Sequence, residues 1–192
     1  MFFSRDFLGK EEEVTIRCGE WDLRSDQEWY AHQDRKVDSF SIHFRFRGGD
    51  KLYNDIALIH VKKDFDLADI DIEENLNVVP ICLPKVYGRD FLQTRDDCVS
   101  MGWGKKSFDA TEYEVSMKQV NLPMVENDEC QAALRNKTRL FDTWELDQSF
   151  VCAGGIKGED VCDADGGGPL VCRSKIDPKR YKSNIILGTF KY

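Results

Sequence analysis

Apolar, β-branched and aromatic residues alternate with polar ones in short runs along the chain, each closed by a stretch rich in turn-forming residues. That is the period of strands rather than helices. Eight segments carry it: 14–21, 40–46, 55–61, 98–104, 114–125, 150–154, 169–173 and 184–190. One internal helix is signalled, by Asn127-Asp128-Glu129, an N-cap with carboxylates in the first turn leading into Cys130-Gln131-Ala132-Ala133-Leu134; the spacing predicts about two turns. The charged stretches 45–51, 64–76, 85–97, 135–141 and 174–182 read as surface loops. No repeat or linker divides the pattern, which is that of an all-β barrel or sandwich.

Composition bounds the class. A chain of 192 residues, 41% hydrophobic, is long enough to bury a core and reads as one domain. Its formal charge of −8 argues against nucleic acid and against an anionic membrane as partners, because both would repel it. The seven cysteines form no C-x-x-C pair, and His32, His43 and His60 all precede the cysteine-dense second half, so no metal site and no cofactor is expected. Disulfides remain, and they persist outside the cell.

The N-terminus does not carry the apolar core of a secretory signal: Met1-Phe2-Phe3 is followed at once by Ser4, Arg5 and Asp6. Either the thiols are reduced inside a cell, or the chain is part of a longer secreted precursor, which the odd cysteine count favours. Asn136-Lys137-Thr138 is an N-glycosylation acceptor sequence and fits an exposed loop of a secreted protein.

Five segments in order then narrow the class: Asn54-Asp55-Ile56-Ala57-Leu58, Pro80-Ile81-Cys82-Leu83-Pro84, Gly102-Trp103-Gly104, Val151-Cys152-Ala153-Gly154-Gly155 and Asp165-Gly166-Gly167-Gly168-Pro169. Together they resemble the chymotrypsin and trypsin family of serine proteases from about residue 17 to residue 188. The resemblance implies an all-β fold of two six-stranded antiparallel Greek-key barrels, here incomplete at the N- and C-terminal ends. It makes 1–192 a single partial domain, with the first barrel at about 14–82 and the second at about 98–192.

The family's chemistry needs a serine nucleophile, a histidine base, an aspartate that orients it, and backbone N–H groups for the oxyanion. By resemblance Asp55 matches the orienting aspartate, Asp160 the charged floor of the specificity pocket, and Asp165 the carboxylate that receives a new N-terminal ammonium on activation. Gly166 stands at the serine, and glycine has no atom with which to attack. The histidine belongs in an Ala-Ala-His-Cys context that this sequence lacks. Ala164 replaces the glycine whose N–H faces the oxyanion; if the loop needs positive φ there, alanine adopts it only with strain.

The resemblance also implies the disulfides Cys98–Cys172 and Cys130–Cys152. It places the partner of Cys162 beyond residue 188, leaving that cysteine unpaired within the chain. Cys18 and Cys82 remain, either to pair with each other or with Cys82 bridging to a segment outside these residues.

Three further stretches, Arg17-Cys18-Gly19-Glu20-Trp21-Asp22, His32-Gln33-Asp34-Arg35-Lys36-Val37 and Leu146-Asp147-Gln148-Ser149-Phe150-Val151-Cys152-Ala153-Gly154-Gly155, are similar to arthropod clip-domain serine protease homologues, whose serine is typically glycine. The resemblance implies a secreted, non-catalytic cofactor that binds other proteins of an extracellular, haemolymph protease cascade leading to melanisation and innate defence. The alternative it leaves is a trypsin-like endopeptidase, which Gly166 disfavours. Oligomeric state cannot be read from the residues.

Overall fold

The computed structural model of the chain describes residues 9–27, 30–49, 52–67, 78–81, 97–107, 109–137, 142–173 and 186–187. After a short 3-10 turn at Glu11–Glu13, β1 (Thr15–Cys18), β2 (Gln33–Ile42) and β3 (Ala57–Val61) form an antiparallel sheet in the order β1-β2-β3. The strand expected over 40–46 instead begins at Gln33 and ends at Ile42. Its charged first half is strand because each face finds partners. Gln33, Arg35 and Val37 turn inward while Asp34, Lys36 and Asp38 face out. Asp34 lies directly opposite Arg17 of β1, which clasps it through Nε–Oδ1 at 2.8 Å and Nη2–Oδ2 at 2.9 Å. Beyond Ile42 the chain turns back, with the Phe46 N–H donating to the His43 carbonyl at 2.9 Å.

The second sheet runs β5 (Lys118–Asn121), β4 (Cys98–Gly102), β8 (Pro169–Cys172), β9 (Ile186–Leu187), and β6 (Met124–Val125) pairs separately with β7 (Cys152–Ala153). The single segment expected at 114–125 is split at Leu122-Pro123. Proline has no N–H for a ladder, so the Leu122 N–H goes to the Cys98 carbonyl and the Pro123 carbonyl accepts from Gly154 N–H at 2.8 Å. The helix, α1 (Asn127–Lys137), is longer than the two turns expected and takes in residues 135–137 of the stretch read as a loop. What extends it is contact beyond its own sequence: Arg135 Nε donates to the Trp144 carbonyl at 2.7 Å, and Gln131 Oε1 accepts from the Leu146 N–H at 2.7 Å. Asn136 is therefore exposed in the last helical turn rather than in a loop; Thr138 lies outside the described residues, as do loops 85–96 and 174–182.

Cys98, Leu122, Val161, Leu170 and Cys172 are buried together, with Val120, Met124 and Ala153 packed around them. The disulfide Cys98–Cys172 crosses adjacent strands inside this cluster, and Cys130–Cys152 ties α1 to β7. Burying strand faces on one cluster is the period-two pattern realised as packing. The two halves meet along a polar seam. The Trp21 carbonyl accepts from both Met117 N–H at 2.9 Å and Trp103 Nε1 at 3.1 Å, and the Val115 carbonyl accepts from Leu23 N–H at 2.9 Å.

Candidate functional site

The segment joining β7 to β8 carries the positions singled out in the sequence, and its shape follows from one side chain. Asp165 Oδ1 accepts from the Gly104 N–H at 2.8 Å and Oδ2 from the Cys162 N–H at 3.0 Å. Two backbone donors on one carboxylate fix the loop around it. The notch that admits the carboxylate exists because residues 102 and 104 are glycines: a Cβ on either would collide with the Asp165 side chain. Gly168 is constrained likewise, since a Cβ there would stand 2.8 Å from the Asp165 carbonyl oxygen and 3.1 Å from that of Met101.

Around this carboxylate the backbone closes on itself. Asp165 N–H donates to the Cys162 carbonyl at 3.0 Å, Gly168 N–H to the Asp165 carbonyl at 2.9 Å, and Lys105 N–H to the Asp163 carbonyl at 3.0 Å. Gly166 sits buried in the middle. Ala164 does adopt positive φ, at 71°, a conformation that costs an L-residue about 1–2 kcal/mol. The strain falls at the position that the sequence resemblance matched to an oxyanion donor.

Lys105 Nζ lies 3.0 Å from Asp163 Oδ2 and 5.6 Å from the centre of the Tyr113 ring; its pKa is raised, first by the hydrogen bond to Asp163. Behind the loop lies a cleft of about 460 Å³ lined in part by Ser100, Gly102, Lys105, Asp160, Val161 and Asp165. Asp160 and Asp165 thus line one space, but Asp160 is exposed and its Oδ1 is turned onto its own neighbour, accepting from the Val161 N–H at 2.9 Å. Ser100, which sequence reasoning passed over, is buried against the same cleft, and its Oγ has no hydrogen-bond partner among the described residues.

The remaining site positions lie in the first half. Asp55 is half-buried just before β3. Each of the three histidines is engaged locally: His32 Nδ1 is 3.3 Å from Glu20 Oε2, His60 Nε2 is 3.0 Å from Ser41 Oγ, and His43 accepts from the Arg45 N–H and stacks on Phe44. Ser149 Oγ is likewise taken, accepting the Asn54 N–H at 3.0 Å. Glu20 was legible only as part of a quoted segment. In the structure its side chain is 4% exposed and held by Arg17 at 3.2 Å, His32 and the Trp21 N–H.

Among the described residues Cys18 and Cys162 have no disulfide partner. Cys18 is partly buried on β1 with its pKa raised by that burial, and Cys82, its candidate partner from the sequence, lies outside the described residues. No group of three or more metal-ligating side chains occurs among the described residues.

The family model for Trypsin matches residues 7–183. Phenoloxidase-activating factor 2 of Galleria mellonella is 39% identical over 94% of this chain and 56% of its own length. The inactive CLIP domain-containing serine protease A3 of Aedes aegypti is 33% identical over 87% of the chain and 33% of its own length. CLIP domain-containing serine protease B4 of Anopheles gambiae, a name without that qualifier, is 32% identical over 81% of the chain and 42% of its own length. The chain thus spans between a third and just over half of these relatives.

Proposed function

The chain belongs to the trypsin family, with relatives among the arthropod clip-domain proteases and their inactive homologues, and on that premise we propose that it is a pseudoprotease acting by binding. One observation carries the reading. Gly166, at the nucleophile's position, is buried within a loop whose scaffold is otherwise built as the family's motifs require, with Asp165 doubly hydrogen-bonded and Gly102, Gly104 and Gly168 making room. The scaffold is kept and the reacting atom is not. The strained Ala164 supports the same reading, because it stands where an oxyanion donor belongs.

The protein's role is that of a secreted, non-catalytic cofactor in an extracellular immune protease cascade, with other cascade proteins as partners. The name of the Galleria relative, a phenoloxidase-activating factor, supports the choice of cascade. Two disulfides support the oxidising compartment. Residues 1–192 form one trypsin-like domain in this proposal, Asp55, Asp160 and Asp165 are remnants of the family's machinery, and Asn136, exposed on α1, is a glycosylation site.

The test is direct. The protein is expected to hydrolyse neither arginine-containing peptide esters nor casein and to take up no fluorophosphonate label; labelling, or hydrolysis lost on Asp55→Ala, overturns the proposal. Gly166→Ser alone is expected to leave both readouts at background, since His32, His43 and His60 are all held elsewhere. In a worked protease, loss of the serine or of the histidine alone removes about 10⁶-fold of turnover.

A further inference from the structure

In an acidic chain an arginine with no carboxylate partner is informative, and two such arginines lie two residues apart at the tip beyond β2. Among the described residues Arg17, Arg24, Arg35 and Arg173 each have a carboxylate within ion-pair distance, and Arg135 has the Trp144 carbonyl. Arg45 and Arg47 have neither among the described residues, and both are exposed. Between β2 and Asn54 they belong to the turn His43-Phe44-Arg45-Phe46-Arg47, in which Phe44 is 85% exposed, the most exposed of the large hydrophobic side chains described. The Arg45 guanidinium lies 5.2 Å from the centre of the Phe44 ring.

This tip is braced, not loose. His43 N–H donates to the Ile56 carbonyl at 3.0 Å and Arg47 N–H to the Tyr53 carbonyl at 2.9 Å. Asn54 Nδ2 donates to the Arg45 carbonyl at 3.2 Å, and Asn54 is itself fixed by Ser149 Oγ and by Tyr53 meeting Phe150 edge-on at 5.9 Å. The aromatic and the two guanidinium groups are therefore carried on backbone anchored to the second half of the molecule, so that less conformational freedom is lost when something binds them.

We propose that the 43–47 turn is a docking element for an acidic segment of a partner protein, with Arg45 and Arg47 taking its carboxylates and Phe44 covering an adjacent apolar side chain. The chemistry selects this occupant. Guanidinium groups pair with carboxylates in two-pronged fashion and, with aromatics, dominate binding surfaces. An anionic membrane needs a broader basic cluster than two arginines; two guanidinium groups beside one exposed ring match a short carboxylate-bearing segment instead. The proposal rests on the reading of the chain as a binding protein, yet the two fail separately: hydrolysis would overturn that reading without touching capture of a peptide by this turn.

The experiment is fluorescence anisotropy of a labelled Gly-Glu-Glu-Leu-Glu-Glu-Leu-Gly peptide, its Glu-to-Lys counterpart, and phosphatidylserine vesicles, with analytical ultracentrifugation alongside. Binding of the glutamate peptide at low salt is expected, weakened by half-molar salt, about tenfold or more by Arg45→Glu with Arg47→Glu, and by a smaller factor by Phe44→Ala. Arg45→Gln with Arg47→Gln gives a milder loss and guards against misfolding of the reversed pair, with far-UV circular dichroism as control. No binding, equal binding by the variants, preference for the lysine peptide or for vesicles, or self-association abolished by the same variants each overturns it.

Discussion

The two sheets belong to one chain and are held by different forces. In the second, Cys98, Leu122, Val161, Leu170 and Cys172 bury one another around a disulfide. In the first, Val37 is the one wholly buried hydrophobic residue among those described, and β1 is joined to β2 by the Arg17–Asp34 clasp and the carboxylate of Glu20. Apolar burial is non-directional and adds with area, whereas polar contacts exchange with water and yield a small net gain. The site's loop, 162–168, is tied to the stronger sheet, and the docking turn projects from the weaker one.

The largest effect that could break the contrast is on the second sheet. Replacing Cys98 and Cys172 together by serine releases a 74-residue span and is expected to cost about 4 kcal/mol by chain entropy. Leu170→Ala is expected to cost about 2–5 kcal/mol. Val37→Ala, with fewer buried neighbours, is expected to cost only about 1–2 kcal/mol. Urea unfolding followed by circular dichroism measures all three, and a Val37 effect as large as that of Leu170 would dissolve the distinction.

The seam comes next. Glu20 is buried, and its carboxylate caps the Trp21 N–H, while the Trp21 carbonyl receives Trp103 Nε1 and Met117 N–H from the other half. Glu20→Ala removes the acceptor shared by Arg17, His32 and the Trp21 N–H and is expected to cost about 1 kcal/mol. Because the contact lies at the junction, hydrogen exchange should quicken at both Trp21 and Met117. Quickening confined to residues 15–36 would mean that the halves are less coupled than the hydrogen bonds imply.

How far these features were legible depends on which force makes them. Strand existence was readable wherever apolar alternation was strong, as at 98–104 and 169–173, because burial on one face imposes that period. It was misplaced at β2, where Gln33–Lys36 is polar throughout and becomes strand only when Arg17 and Asp34 face each other. At 114–125 the apolar pattern runs on through Pro123, which in the structure separates β5 from β6. The loop around Gly166 was legible by residue type, and the positive φ at Ala164 was anticipated as a condition. The burial of Glu20 and the bracing of the tip at 43–47 were not: Glu20 is held by Arg17, Trp21 and His32 in a geometry that no apolar period signals, and the tip is fixed through Asn54 by Ser149, 95 residues away.

The mildest way to sharpen the comparison is through pH, and its sign can be worked out. The pKa of Asp34 is lowered, first by the hydrogen bonds from Arg17 and then by the charges of Arg17, His32 and Arg35. A carboxylate whose folded pKa lies below its unfolded value contributes its full stabilisation above the unfolded value, about 3.9 for aspartate, and loses it as pH falls through the lower, folded value. Asp34 is 41% exposed at its side chain, so solvent screens the clasp and the effect is small. Asp34→Asn is therefore expected to lower stability slightly at pH 7 and not at pH 2, flattening the acid limb of the first sheet while leaving protection of β4 and β8 unchanged. A uniform loss across that range would show that the side chain matters for packing rather than for charge, and the first sheet would then resemble the second more closely than its ion pairs suggest.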